Sequence, residues 1–404
     1  MKRILIVGAG QEQAIAIGMA KDLGFFVVAC DQNPEAPGLE LADEKAIVDI
    51  KDVGSLLEIA VNHKVDGIFT HAVEIPHVIS QVAKKLGLPG ISPEIAFRAT
   101  NKLERIARFK ECGIPCANYA FASDPTQLLI EAKKIGYPLI IKPIDSAGAR
   151  GVQEVGSEEQ LLQSYAAAIQ FSDSKIVLLE ERLSGPEIST ESLVYNNQIY
   201  TFAFADRNYI KKDLFYPFFV EDGINYPSML SGKIKDDVYQ LVERTIRCLE
   251  IDFGAAKGDI IIDNGIPKVI EMAARTSGGW FSAGSIRVAT GINVLKPLLQ
   301  MTVGLSPDLD EIKPKYDLGC AQRYIIPIEQ GVITNISGMD EAINSTGVQM
   351  YNFFMPKVGD RIKKSTNHSE RFGQIICSGA SREEAIQRCE TAISKIKISI
   401  NSRD

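Results

Sequence analysis

Within residues 1–95, short apolar runs alternate with segments of helical spacing, and this rhythm limits the fold more than any other feature. RILIVG (3–8) is continuously apolar and ends in glycine, the pattern of a parallel strand covered on both faces. In QEQAIAIGMAKDLG, residues Ile15, Met19, Ala20 and Leu23 recur at helical spacing until Gly24 stops the run. FFVVACD (25–31), KAIVDI (45–50) and VDGIFT (65–70) read as further strands, and VISQVAKKLG as a helix before Leu88-Pro89-Gly90. Strands joined by helices pair in parallel, so this part is expected to be a doubly wound α/β sheet.

The loop after the first strand, GAGQEQ, allows two readings. Gly8 and Gly10 match the start of the dinucleotide pattern GxGxxG, and Asp31 ends the second strand about where a ribose-binding acid belongs. That reading leads to an NAD-dependent oxidoreductase. The third glycine is replaced by Gln13, however, and Gly8 and Gly10 equally serve a tight strand-to-helix turn.

Composition excludes several classes. The chain has 404 residues, with 44 Lys and Arg against 51 Asp and Glu, a formal net charge of −7. Nucleic-acid proteins usually carry a basic surplus, although a few placed cations can still bind phosphate in an acidic chain. No apolar run approaches the about 18 residues of a membrane span, and the N-terminal apolar stretch is broken too early for a signal peptide. Among seven cysteines only Cys112 and Cys116 lie close together, without a zinc pattern, so they read as reduced thiols of a cytoplasmic protein. With only His63, His71, His77 and His368, a multi-histidine metal centre and histidine-based catalysis are not expected.

Residues 100–310 have another texture. Strand pairs (YPLIIKP, KIVLLEERL, EISTESLVYNNQIYTFAFA, GDIIIDNGIPKVIEMAA) mix with helices such as TQLLIEAKKIG and DDVYQLVERTIRCLE, an α+β pattern with antiparallel strands. Asn196-Asn197 and Asp263-Asn264-Gly265 read as hairpin turns. Beyond residue 315 the chain is β-rich, then closes with a helix SREEAIQRCETAISKIK and a strand ISI.

Three segments could carry chemistry. In YPLIIKPIDSAGARGV a strand delivers Lys142 to a loop holding Ser146, Gly148 and Gly151. Glycines let backbone N–H groups converge on an anion and the lysine adds a point charge, although the order differs from a P-loop and a plain hairpin has the same look. In KIVLLEERLSGPEISTE, Glu180, Glu181, Leu183 and Glu187 surround a strand end that could serve a nucleoside, or form a solvated charge cluster. Asp259 and Glu271 lie on two strands joined by DNGIP and could converge on Mg²⁺ with nucleotide phosphates, or form a surface pair. Arg275 follows, a fork of donors suited to a developing acyl phosphate.

Taken in order, NKLERIARFKECGIP, IIKPIDSAGARGV, LLEERLSGPEIS and GDIIIDNGIPKVIEMAAR resemble the ATP-grasp superfamily of carboxylate–amine ligases. The branch is the biotin-carboxylase-like and carbamoyl-phosphate-synthase-like one, similar to L-amino acid ligases, and VGDRI with ERFGQIICSGASREEA resembles its tail domain. The resemblance implies an ATP-grasp fold: a Rossmann-like α/β pre-grasp domain (1–98), an ATP-grasp domain (99–313) with its lid over about 115–185, and a small C-terminal α+β domain (314–404). It implies ATP and Mg²⁺, with Mn²⁺ as an alternative. Lys102, Lys142, Ser146 and the loop from Gly148 to Gly151 would bind phosphates, Glu180, Glu181 and Leu183 adenine, Glu187 ribose, Asp259 and Glu271 the metal, and Arg275 the transferred phosphoryl group. The family commonly has Asn two residues after its second metal acid, where this chain has Ala273, so one or two metal ions stays open.

The implied activity forms an acyl phosphate from a small-molecule carboxylate and passes the acyl group to an amine, releasing ADP and phosphate. Neither nucleic acid nor membrane is an expected partner, and a homodimer is an assembly open to the chain. A non-catalytic ATP-binding regulator is the rival left by Ala273. On the acceptor side, weaker candidates are Glu74 in THAVEIP, Ser277, Gly278 and Gly279 in ARTSGGWFSAG, and the arginines Arg207 and Arg323. Trp280 is either a pocket wall or a core residue.

Overall fold

The N-terminal rhythm folds as expected. In the computed structural model, which describes residues 1–401, strands Arg3–Val7, Phe26–Asp31, Glu44–Ile47 and Gly67–Phe69 form a four-stranded parallel sheet with Arg3–Val7 and Phe26–Asp31 inside. Both faces are covered. Ile4 and Ile6 pack with Ala16, Ile17 and Ala20 of helix Gln11–Asp22, while Leu5 and Val7 pack with Leu56, Ala60, Val78 and Val82 of helices Val53–Asn62 and Pro76–Leu86. That explains the unbroken apolar run, because each fully buried aliphatic side chain contributes about 1.5–3 kcal/mol. Helix Pro76–Leu86 starts at a proline and ends at Gly87 with φ 65°. At Gly67 a side chain has no room, since a Cβ would lie 2.2 Å from the Thr302 carbonyl oxygen where this sheet docks on helix Leu295–Thr302.

Three further sheets follow, the smallest formed by Arg361–Ile362, Gly331–Ser337 and Lys397–Asn401. Strands Tyr119–Ala122, Val177–Glu181, Leu139–Pro143 and Gln153–Val155, in that spatial order, form an antiparallel sheet backed by helices Pro125–Ile135 and Glu158–Ala168. The body is an eight-stranded antiparallel sheet running Ile266–Ala273, Gly254–Asp263, Glu187–Tyr195, Gln198–Asn208, Gly223–Tyr226, Gly319–Ile325, Gly373–Gly379 and Val348–Phe353. It passes without a break from the middle section into the C-terminal strands. Helix Gly232–Cys248 covers one face, with Val238, Leu241, Val242 and Ile246 against Ala256, Ile260 and Val269. Helix Arg382–Ile393 covers the C-terminal end. The turns are those the sequence suggests: Asn196, Asn197, Asn264 and Gly265 all have positive φ. All seven cysteines are free, and among the described residues no helix is long and apolar enough to cross a membrane.

Candidate active site

The lid strand Leu139–Pro143 alternates faces, so Leu139 and Ile141 enter the lid core while Lys142 points the other way. Its Nζ lies 2.5 Å from Glu180 Oε2, both side chains being about one-tenth exposed (12% and 11%). Lys102 comes from another element, helix Lys102–Glu111. Asn101 caps that helix by accepting the Leu103 and Glu104 N–H groups, which fixes Lys102 at its first position. Its Nζ donates to the carbonyls of Ile144 (3.3 Å) and Ser146, and burial lowers its pKa to about 8 despite the attraction of Glu271. In the loop between, Gly148, Ala149 and Gly151 have φ of 66°, 62° and 75°. A Cβ at Gly151 would lie 2.8 Å from Pro143 Cγ, so the loop is tightly folded. Ser146 Oγ is buried without a hydrogen-bond partner, an orphan that a phosphate oxygen suits.

Glu180 and Glu181 do not act together, because adjacent strand residues face opposite ways. Glu181 Oε2 accepts the Asn118 N–H at 3.1 Å and Oε1 lies 3.3 Å from Lys268 Nζ. Leu183 is buried with Ala117 and Ile261. Glu187 stands 3.8 Å from Arg207, and burial, with Asp259 and Glu221 near by, raises its pKa against the pull of Arg207.

The two central carboxylates meet through an irregularity. Asp263 pairs with Ile266 across the Asn264-Gly265 turn, and counting back along a regular ladder would set Asp259 opposite Ile270, with Glu271 on the other face. A bulge between Asp259 and Ile260 shifts the register, so Asp259 pairs with Glu271. Asp259 accepts from Ser189 Oγ at 3.0 Å, from Arg207 Nη1 at 2.6 Å and from Lys257 Nζ. Glu271 lies 3.4 Å from Arg105 Nη2 and 3.9 Å from Lys257 Nζ. Burial opposes ionisation of both, yet Arg207 and Lys257 at Asp259, and Arg105 and Lys257 at Glu271, hold their pKa values below the ordinary range. Lys257 is also in register with Ala273. Two ionised, opposed carboxylates fit one hard divalent cation; among the described residues no third His, Cys, Asp or Glu completes a shell, which leaves phosphate oxygens and water to do so. Arg207, expected on an anionic substrate, is instead committed to Asp259, Glu221 (3.1 Å) and Glu187.

On the acceptor side Arg275 Nε donates to Glu74 Oε2 at 2.6 Å and Nη1 to the Thr276 carbonyl at 3.0 Å. Burial works against its charge, but Glu74 and Glu271 raise its pKa further above the guanidinium value. Beside it lies a cavity of about 90 Å³ whose walls include Phe69, Ile79, Phe253 and Leu298. His71 is buried, with Nδ1 2.8 Å from Thr276 Oγ1, and burial pushes its pKa down to about 3.

Three expectations need correction. Ser277 and Gly279 were expected to offer backbone donors to a substrate carboxylate. The protein already supplies carboxylates: the Ser277 N–H lies 3.2 Å from both Glu191 oxygens, and the Gly279 and Trp280 N–H groups donate to Glu12 at 3.2 and 2.8 Å. At Gly278 a Cβ would come within 3.6 Å of Ala72. Burial raises the pKa of both Glu12 and Glu191 to about 7. Arg323 turns away altogether, because strand alternation sends Gln322 and Tyr324 to the Gly279 carbonyl and Arg323 to Glu390 and Asn225 on the far face. The GAGQEQ loop is filled by the protein itself: Asp31 accepts the Ala9 and Asn33 N–H groups at 2.8 and 2.9 Å, Gln13 bonds the His71 carbonyl, and Glu12 holds the 279–280 turn over the helix start. That removes the geometric basis for a dinucleotide there. Trp280 is partly buried and packs against the cluster of Ala289, Cys320 and Ile376.

Glu12, Lys257, Glu191 and Glu221 escape sequence reasoning. Only Glu191 carries a local signal, an acid amid buried neighbours in EISTESLVY.

Residues 99–279 match the family model described as ATP-grasp domain, and residues 323–401 that described as L-amino acid ligase C-terminal domain 2. The formate-dependent phosphoribosylglycinamide formyltransferase of Prochlorococcus marinus (strain NATL1A) is 30% identical over 186 residues, covering 45% of this chain and 47% of that protein. The chain thus spans about half the length of the curated relatives it matches first. The crystal structure of L-amino acid ligase from Bacillus licheniformis superposes with a TM-score of 0.84 at 21% identity, covering 100% of this chain and 99% of that one. That of N5-carboxyaminoimidazole ribonucleotide synthetase from Thermotoga maritima gives 0.75 at 17% identity, covering 99% and 100%.

Proposed function

From the premise that residues 99–279 form an ATP-grasp domain in a chain of ATP-grasp fold, we propose that the protein is an ATP-dependent carboxylate–amine ligase producing ADP and phosphate. One observation carries the reading: Lys102 stands within charge range of Lys142 and Glu271, and Glu271, paired with Asp259, stands within charge range of Arg275, so the five side chains form one charged cluster. Lys102 and Lys142 hold the nucleotide phosphates from two elements, and the glycine loop covers them. Asp259 and Glu271 hold Mg²⁺, which when bound supplies charge neutralisation for the transferring phosphoryl group. With the cation bound, Asp259 would be shared among it, Lys257 and Arg207. Arg275, released from Glu74, meets the charge developing between substrate carboxylate and phosphoryl group. The shut loop keeps water from the acyl phosphate until an amine attacks its carbonyl carbon and phosphate leaves.

Support for a small carboxylate comes from the cavity beside Arg275, and support for an amino-acid-like one from the match at 323–401. Seven free cysteines suit a cytoplasmic setting. The test is ADP release over a matrix of carboxylates and amines with Mg-ATP. ADP formation that needs both substrates and equals the amide formed is the expected result. No thermal stabilisation by Mg-ATP would sink the reading; stabilisation without turnover across the matrix would favour a non-catalytic ATP-binding protein.

A further inference from the structure

His368 makes contacts that the chemistry above does not use. It stands just after Asn367, which caps a short turn by accepting the Ser369 N–H at 3.0 Å. His368 Nε2 accepts the Glu221 N–H at 3.3 Å. Loss of solvent contact, with the charges of Arg371 and Arg207, pushes its pKa well below the ordinary value, so the ring is neutral and has a lone pair for that bond. Its own backbone N–H donates to the Gly148 carbonyl at 3.0 Å, across the gap between the C-terminal section and the glycine loop.

The backbone before Glu221 also meets the lid. The Pro217 carbonyl accepts the Glu154 N–H at 2.8 Å, Phe218 bridges to Gln153, and the Arg182 guanidinium lies 5.2 Å over the Phe219 ring. The Glu221 carboxylate in turn reaches Arg207, and Arg207 reaches Asp259. A continuous chain of contacts therefore runs from the loop through His368, Glu221 and Arg207 to a metal-side carboxylate.

We propose that His368 is a positioning residue that fastens the glycine loop: its ring pins segment 367–370 to the body at Glu221, and its backbone N–H holds the loop shut through Gly148. What lies beneath the loop rests on the ligase reading; the fastening itself does not. A loop tied to the segment that steadies Arg207 closes most firmly when Asp259 is correctly placed, and a shut loop excludes water.

Trypsin can read the loop without nucleotide, because exposed Arg150 lies within it. His368→Pro removes both the N–H donor and the ring. Asn367, at φ −159° and ψ 174°, accommodates a following proline, and proline is tolerated at the first position of a helical turn. His368→Ala keeps the N–H and loses the ring; His368→Gln keeps the N–H and a side-chain acceptor. In nucleotide-free protein, cleavage after Arg150 should quicken by roughly fivefold to tenfold in His368→Pro, the worth of about one hydrogen bond. It should quicken less in His368→Ala and stay near wild type in His368→Gln, with melting temperature and cleavage elsewhere unchanged. With both substrates, His368→Pro should release more ADP than amide as water reaches the acyl phosphate. Equal cleavage after Arg150 in wild type and His368→Pro overturns the fastening, whatever the chain does with ATP. Faster cleavage with ADP still equal to amide overturns its part in excluding water. Failure of wild type to bind Mg-ATP overturns the ligase reading instead, and the cleavage comparison is judged apart from it.

Discussion

Arg275→Ala is expected to stop turnover while Mg-ATP still binds. Two costs follow from its contacts, and they differ in scale. Its guanidinium holds Glu74 at 2.6 Å, but the Glu74 side chain keeps 26% exposure. Water can therefore solvate Glu74 once the partner is gone, and the stability loss should be about 1–2 kcal/mol rather than the 3–5 of a fully buried broken pair. At about 2 cal/mol/K of unfolding entropy per residue, that moves the melting temperature of a chain this long by only about 1–3 °C. The catalytic cost is larger, since losing even one donor aligned on developing charge lowers kcat by about 10²–10³. ADP release measures the second effect, and thermal unfolding with and without Mg-ATP measures the first together with retained binding. Arg275→Lys keeps the charge without the fork and should fall between wild type and alanine. Adding Glu74→Gln to Arg275→Ala should restore stability but not turnover. A kcat within about threefold of wild type in Arg275→Ala, or activity regained with Glu74→Gln, would refute the assigned role.

Three further outcomes test other parts of the site. Burial sets the Lys102 pKa at about 8, so its phosphate-binding charge is lost as pH rises through that value; KM for ATP should climb there, whereas Lys102→Met should be weak and insensitive to pH. A flat wild-type profile would contradict this. The Glu191 pKa is raised by burial from 4.5 to about 7, so its contribution to stability is whole below the unfolded value and lost as pH rises through about 7. Glu191→Gln, which stays neutral, should flatten the fall in melting temperature over that window, and parallel curves would count against the assignment. Gly279 has φ 66° and a Cβ there would lie 2.7 Å from Tyr324 Oη, whose ring is held under Arg371 at 3.7 Å. Gly279→Ala should cost about 1–3 kcal/mol and weaken acceptor-side binding while sparing the Mg-ATP shift; a variant as stable as wild type would show the turn to be slack.

The amino-acid sequence by itself determined the parts whose causes are local. Apolar runs of period two and helical runs of period 3.6 are written within a few residues, and so are the Asn101 cap that places Lys102 and the Asn264-Gly265 turn that closes the central hairpin. The residue types of the nucleotide side were legible for the same reason: lysine at a strand end, glycines after it, acids on two joined strands.

What each side chain faces was decided by tertiary structure. The turn alone would have put Asp259 and Glu271 on opposite faces, and only the bulge brings them together. The expected donors Ser277 and Gly279 are taken by Glu191 and Glu12, the latter 267 residues from Gly279 in sequence, and Arg323 and Gln13 of the GAGQEQ loop are committed to partners 67 and 58 residues away. A buried charge or N–H must find a partner wherever the fold supplies one, and no local pattern records a partner that the chain brings in from far along the sequence.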